Sequence, residues 1–311
     1  MNRFTPETIE TMSLLITDSG LGGLSMLAHL VLELESKMIG EAGSEMKMVY
    51  LNAVPRDHYG YNDMTSAEER VRVFNSLLEK AEDRFQPEKI FVACGSLSAL
   101  LDEVPYVDKH RQKVQGIGWI GRQLLKESIQ EKPDAPVFVF ATPVTISEGL
   151  YSATGLSGFQ RPEVYIEQPC PGLANQISSK LEERAIFAEI MECCQKALES
   201  AESHLKFNSH QDPIVFLGCT HYSFRADLFV KAFAELGFTK VTLLDPVPAS
   251  ALSMAKDQFF SEGTDRIRIE FISPYRLPDV EQKTIATLLD QISPITAEAF
   301  RNGQVMPELV D

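Results

Sequence analysis

Two cysteines share a setting. Cys94 stands in Ala93-Cys94-Gly95-Ser96 and Cys219 in Gly218-Cys219-Thr220-His221, each after an apolar run and before small polar residues. A thiolate can be a nucleophile, a metal ligand or a base. Structural zinc needs about four Cys or His ligands in close pairs, whereas the histidines are scattered and no CxxC or HxxxH pair occurs. Cys193 and Cys194 are adjacent in a helical pattern, so their side chains diverge by about 100°. Redox chemistry also prefers CxxC. A cysteine hydrolase would use one thiol with a histidine base and leave the second unexplained. Two opposed thiols suit another reaction, in which one removes a proton from a carbon and the other returns a proton to the opposite face. That inverts a stereocentre without redox change. It needs donors aimed at the carbanion that develops beside a carboxylate, and backbone N–H groups at strand-to-helix turns can hold that carboxylate and favour a thiolate.

The ordinary reading of a free cysteine is a small buried hydrophobe. Cys193 and Cys194 take that reading. Cys170, between Pro169 and Pro171, reads as a structural residue lining a loop.

The elements that position the two thiols alternate. "SLLITDSG" reads as a buried strand, "LSMLAHLVLELESKM" as a helix, "MKMVYLNA" as a strand, and "SAEERVRVFNSLLEKAEDRF" as an amphipathic helix capped by Ser66. "KIFVACGS" and "KVQGIGWIG" follow, then a helix to about Ile129. The pattern restarts with "PVFVFATPVT", "EVYIEQPC", one long helix near 173–206, "PIVFLGCTHY" and "KVTLLDPV". "RIRIEFIS" and a helix near 280–291 close the chain. This alternation predicts an α/β fold with mainly parallel sheets.

Four strand pairs recur in the same order at spacings of about 115–127 residues. The strand ending at Asp18 is matched to one ending at Thr142, and the strand ending at Cys94 to the one ending at Cys219. Two similar α/β halves related by a pseudo-two-fold are expected. Residues 13–116 with about 248–311 form the first, and 117–247 the second. Ligands of open α/β sheets bind beyond the carboxyl ends of the strands, so facing halves would put one cysteine on each side of a shared cleft.

Composition narrows the field. Lys and Arg number 29 against 44 Asp and Glu, a net charge of −15 across 311 residues. That field opposes nucleic acid and anionic lipid. No apolar run reaches the roughly 18 residues that span a membrane, and the first residues lack the pattern of a signal peptide. Five cysteines, an odd number, argue against a disulfide framework and for a reducing cytoplasm.

At these motifs the sequence resembles the glutamate racemases of the aspartate/glutamate racemase superfamily. "ITDSGLGGLSML" and "FLGCTHYSF" carry the resemblance. "VACGSLSAL", "DHYGYN", "ATPVTISEGLY", "QPCPGL" and "LLDPV" support it in family order from about residue 13 to 250. The resemblance implies a two-domain enzyme without cofactor or metal that interconverts L- and D-glutamate. It implies Cys94 and Cys219 as the paired bases, with Asp18 near the substrate ammonium and assisting one cysteine, and His221 as an auxiliary to Cys219. Ser19, Tyr59, Gly60, Gly95, Ser96, Thr142 and Thr220 would bind substrate. It further implies an acidic amino acid as partner, D-glutamate supply for peptidoglycan, and a homodimer, which is common in the family.

Each residue also has a plainer reading. Gly20, Gly22 and Gly23 could shape a turn. Asp18, Ser96, Thr142 and Thr220 could be helix caps. Tyr59 could be a loop aromatic, and His221 a hydrogen-bonded interior histidine. Gly116 to Gly121 fits GxGxxG, but its strand is short and no acidic context follows, so dinucleotide binding is not expected.

The departures from the family pattern matter. Gly95 replaces the expected asparagine, Ser178 an acidic residue, and Asn52 a position commonly acidic; the chain is also longer at both ends. "GSLS" resembles the same stretch of arylmalonate decarboxylases, which keep one cysteine, whereas this chain keeps both. Two alternatives therefore stand beside the racemase. One is another superfamily isomerase or decarboxylase acting on a small carboxylic acid. The other is a non-catalytic carboxylate-binding homologue.

Overall fold

Ten short strands rich in β-branched and aromatic residues form two sheets in the computed structural model, which describes residues 11–37, 44–156, 165–180, 182–204, 211–261 and 264–310. The strands are β1 (Thr11–Asp18), β2 (Ser44–Asn52), β3 (Lys89–Val92), β4 (Val114–Gly116), β5 (Val137–Ala141), β6 (Tyr165–Pro169), β7 (Ile214–Leu217), β8 (Thr242–Leu244), β9 (Thr264–Ser273) and β10 (Gln304–Val305). One sheet has the order β10-β9-β2-β1-β3-β4 and the other β6-β5-β7-β8. Every pairing is parallel. The central strands are apolar on both faces, as the buried runs Lys89–Val92 and Val137–Ala141 show, because helices cover both sides of a parallel sheet.

The repetition read from the sequence is present in the topology. The order β2-β1-β3-β4 in one sheet repeats as β6-β5-β7-β8 in the other, and β9 and β10 extend the first sheet. Hydrogen bonds correct the residue matching. Ala53 N–H donates to the Asp18 carbonyl at 2.8 Å, as Cys170 N–H donates to that of Ala141 at 2.9 Å. Ala93 N–H donates to the Thr17 carbonyl at 2.8 Å, as Gly218 N–H does to that of Phe140 at 2.7 Å. Asp18 is therefore equivalent to Ala141, and Thr142 to Ser19. The expected match of Asp18 with Thr142 was one residue out, since apolar runs alone do not fix register and a one-residue slip reverses a strand's faces.

The helix Ala67–Phe85 begins as expected, with the Ser66 hydroxyl accepting from Glu69 N–H. The single helix expected near 173–206 is instead two, Leu173–Ser179 and Glu183–His204. The first ends at Lys180, whose backbone is extended, and residues 205–206 lie outside the described residues, as do 1–10 of the N-terminal extension. Gly116 ends β4 and the helix Ile117–Glu131 follows directly. The glycines of that GxGxxG stretch serve packing: a Cβ on Gly118 would lie 2.9 Å from Leu150, and one on Gly121 2.7 Å from Tyr151. Among the described residues no helix is long and apolar enough to cross a membrane.

Candidate active site

The carboxyl ends of β1, β3, β5 and β7 meet at a cleft of about 590 Å³ between the two sheets. It is lined by every site residue expected from the sequence: Asp18, Ser19, Tyr59, Gly60, Cys94, Gly95, Ser96, Thr142, Cys219, Thr220 and His221. The volume lies in the range of small-molecule sites.

Each cysteine sits two residues past its strand, where extended backbone turns into a short helix. Cys94 precedes Gly95–Ser98 and its sulfur accepts from Leu97 N–H. Cys219 precedes Thr220–Ser223 and makes no such cap bond. The two turns touch. A Cβ on Gly95 would lie 2.7 Å from the Gly218 carbonyl oxygen, a distance that real side chains do not tolerate without a shift. The residue after one cysteine thus packs on the residue before the other, and the space beside Gly95 is filled by backbone from the opposite half.

Two polar contacts flank this meeting. On one side the Thr220 hydroxyl donates to Asp18 Oδ2 at 2.8 Å across the cleft. On the other, the hydroxyls of Ser96, Thr142 and Thr145 form a triangle, with Ser96 2.9 Å from Thr142 and 3.1 Å from Thr145. Thr142 and Thr145 are 3.0 Å apart. Thr142 is also a helix cap, accepting from Thr145 N–H. Asp18 is not the cap of the helix Gly23–Glu35, whose N-cap is Gly22, although it accepts a backbone hydrogen bond from Gly23.

Burial dominates the electrostatics. Asp18 is 1% exposed, and desolvation lifts its carboxyl to about 7 against the hydrogen bonds that favour its charge. Desolvation, with the Asp18 charge adding to it, pushes the Cys94 thiol up to about 12, opposed by hydrogen bonding from Ser19. The Ser19 hydroxyl lies 3.0 Å from the Cys94 sulfur. Burial likewise raises the Cys219 thiol above its ordinary value, and the charges of Asp18 and Cys94 add to that rise. His221 Nδ1 lies 3.8 Å from the Cys219 sulfur. Desolvation holds its pKa down at about 4, so at neutral pH its ring is uncharged and offers one donor and one acceptor nitrogen.

Tyr59 lines the cleft, but its hydroxyl is engaged outside it. Its hydroxyl donates to Glu69 at 2.7 Å and the Arg56 guanidinium lies 4.5 Å over its ring. Gly60 N–H donates to Asp63 at 2.8 Å. Asn52 is fully buried, bonded to the Ser273 hydroxyl and to Val54 N–H.

Sequence reasoning passed over several lining residues. Thr145 lies inside the segment ATPVTISEGLY, where nothing in the sequence sets it apart from its neighbours. Tyr275 and Glu281, from the C-terminal segment, also line the cleft; nothing in their spacing signals this. Cys170 lines the cleft as well as its loop, and its thiol is hydrogen-bonded with that of Cys193. Cys194 is a core residue of the helix Glu183–His204, as expected. No lysine or arginine lines the cleft, so among the described residues an anionic group there would be held by hydroxyls and backbone N–H. Among the described residues no cluster of three or more metal-ligating side chains occurs.

Fold and cleft together define a two-lobed α/β protein with one cysteine from each lobe lining the cleft between them. Solved structures with this fold include a glutamate racemase isoform from Bacillus anthracis, at a TM-score of 0.66 and 18% identity over 96% of this chain and 99% of that one. Another is the Francisella tularensis glutamate racemase in complex with D-glutamate, at 0.66 and 17% over 95% and 97%. A third is the Thermus thermophilus glutamate racemase in complex with β-chloro-D-alanine, at 0.62 and 17% over 95% and 96%. The chain thus has the two-domain fold of the glutamate racemases. The sequence matches no protein-family model and no curated protein.

Proposed function

We propose that this chain is a cofactor-independent amino-acid racemase of the aspartate/glutamate racemase superfamily, with glutamate as its substrate. The observation that carries the reading is the contact of the two cysteine turns at Gly95 and Gly218, which sets both thiols on one cleft. The complex of a similarly folded glutamate racemase with D-glutamate supports the substrate class.

In this reading Cys94 and Cys219 face the substrate Cα from opposite sides. Burial favours the protonated form of both thiols. Asp18, with its carboxyl near 7, is hydrogen-bonded with the Cys94 thiol and close to Cys219, and accepts the proton that frees a thiolate. The substrate ammonium brings the positive charge that favours the thiolate. The thiolate takes the Cα proton and becomes a thiol; the opposite thiol gives its proton to the other face and becomes the thiolate. The reverse reaction exchanges the roles. His221 holds the Cys219 sulfur, Ser19 the Cys94 sulfur, and hydroxyls of Ser96, Thr142 and Thr220 with backbone N–H groups hold the carboxylates. Tyr59 and Gly60 shape the outer wall. The lobes divide as 13–116 with about 248–311, and 117–247. A cytoplasmic homodimer supplying D-glutamate for peptidoglycan completes the proposal.

Incubation with L-glutamate followed by chiral chromatography tests it. The expected result is convergence on equal amounts of the two enantiomers from either side. No conversion from either enantiomer sinks the glutamate reading. One observation favours a second substrate: Gly95 lacks a side-chain amide, which points to a different small carboxylic acid, and conversion of such an acid without glutamate turnover would select it.

A further inference from the structure

We infer that Arg70 and Glu148 form a latch that holds the cleft closed and registers its outer wall against the opposite lobe. Arg70 lies on the helix Ala67–Phe85 beside the six-stranded sheet, and Glu148 ends the helix Pro143–Ser147 beside the four-stranded sheet. Arg70 Nη2 and Glu148 Oε1 are 2.5 Å apart, with side chains 11% and 21% exposed. The pair joins an element of the first sheet to an element of the second.

The two ends of the pair reach the cleft by different routes. Arg70 Nη1 donates to the Met64 carbonyl at 3.2 Å. Met64 follows the segment Asp57–Asp63, all of which lines the cleft. Glu148 caps the helix that carries Thr145 and starts at Thr142, two of the three hydroxyls in the triangle with Ser96. One guanidinium therefore ties the outer wall of the first lobe to the hydroxyl-bearing helix of the second. The rigid fork of arginine makes both bonds at once.

Stability alone gives a weak account of the pair. Taking two charges out of water costs about as much as their attraction returns, and the Arg70 Nε is buried without a partner. A costly, geometrically defined contact that joins the two lobes beside the cleft is what a latch requires. Substrate entry needs that contact to break, and the bound state needs it made. Arg70 and Glu148 are positioning residues: they touch no reacting atom and act through Met64 and Thr145.

The inference rests on the cleft being the substrate site, but its test does not need turnover. The probe is iodoacetamide, with alkylation of each cysteine followed by mass spectrometry in the full-length protein. If the latch sets the open population, Glu148→Gln and Arg70→Met speed alkylation of both Cys94 and Cys219 by about tenfold or more, since labelling follows the open fraction. Cys194, fully buried in the core, keeps its wild-type rate. Arg111→Met, which removes an exposed pair with Asp102 and Asp108, changes none of the three. Glu148→Gln is nearly isosteric and serves where Arg70→Met does not fold. On a substrate that the wild type turns over, Glu148→Gln raises KM with kcat within about twofold, because part of the binding energy now closes the cleft. Unchanged labelling of Cys94 and Cys219 in Glu148→Gln overturns the latch, and so does equal acceleration of Cys194, which marks general loosening. A wild type that racemises nothing sinks the racemase reading and leaves the labelling test intact.

Discussion

Gly95 rests against the carbonyl oxygen of Gly218, so closely that a Cβ on Gly95 would lie 2.7 Å from that oxygen. The contact joins the two cysteine turns, and the same Cβ would lie 3.2 Å from the Thr145 hydroxyl. The glycine is there because no side chain fits between the turns, whatever else an amide at this position could bind.

Substitution there should be costly in a defined way. Gly95→Ala and Gly95→Asn push the turns apart, and overpacking of this kind costs about 1–3 kcal/mol. Urea unfolding should show a lowered midpoint with an unchanged slope, alongside loss of racemase activity. Gly95→Asn with wild-type stability and higher activity would show that the amide is accommodated and useful.

The hydroxyl triangle gives a smaller effect. Thr142→Val keeps the shape of the side chain and leaves Ser96 and Thr145 bonded to each other. Loss of the Thr142 hydroxyl's contacts with Ser96 and Thr145, and of the cap bond from Thr145 N–H, is expected to cost about 1–2 kcal/mol, read as a shift in the urea midpoint. Activity should fall further than stability, because Thr142 also lines the cleft. An activity loss no larger than the stability loss would make Thr142 a cap only.

Asp18 and His221 give opposing pH terms. Burial raises the Asp18 pKa from 3.8 to about 7, so between those values the folded chain holds a proton that the unfolded chain has lost, and stability falls as pH rises. Burial lowers the His221 pKa from 6.5 to about 4, so between those values the unfolded chain holds the extra proton, and stability rises with pH. Between about pH 4 and 6.5 the two slopes offset. Asp18→Asn removes the first term and leaves the second. Its melting temperature should therefore drop more steeply than the wild type's when pH is lowered from 6.5 to 4. Parallel melting curves for the two proteins over that range would contradict the assignment.

Loss of either thiol should stop racemisation. Cys94→Ser and Cys219→Ser each replace an acid–base group by a hydroxyl that ionises far less readily, and positioned acid–base groups contribute about 10²–10⁴-fold. Both variants should fall by at least that range with melting temperatures near the wild type's. Full activity in either variant would reject the two-base scheme.

Much of this site was legible before any coordinates, because strand ends and their small polar followers are local features. Cys94 and Cys219 each close an apolar run, and the rule that ligands gather at strand carboxyl ends brings them together, whereas Asp18 and the other lining residues follow from the family resemblance. The repeat order was legible for the same reason. Its register was not: matching Asp18 to Thr142 failed because apolar strands align almost equally well one residue apart, and backbone hydrogen bonds made Ala141 the equivalent of Asp18. That places a carboxylate on one side of the cleft only. The break near Lys180 was hidden because the helical pattern resumes at Glu183 with the same character. Tyr275, Glu281 and the Arg70–Glu148 pair reach the site through tertiary packing, which leaves no mark on sequence spacing.

The central claim is that the group removing the proton is not the group returning it. Early turnover of L-glutamate in D₂O, with both enantiomers separated and the Cα hydrogen read by mass spectrometry, tests it most directly. The account predicts deuterium at Cα in essentially all of the new D-glutamate while the remaining L-glutamate keeps its protium, and the mirror result from D-glutamate. Deuterium entering the unreacted enantiomer as fast as product forms, or product that retains protium, would contradict it.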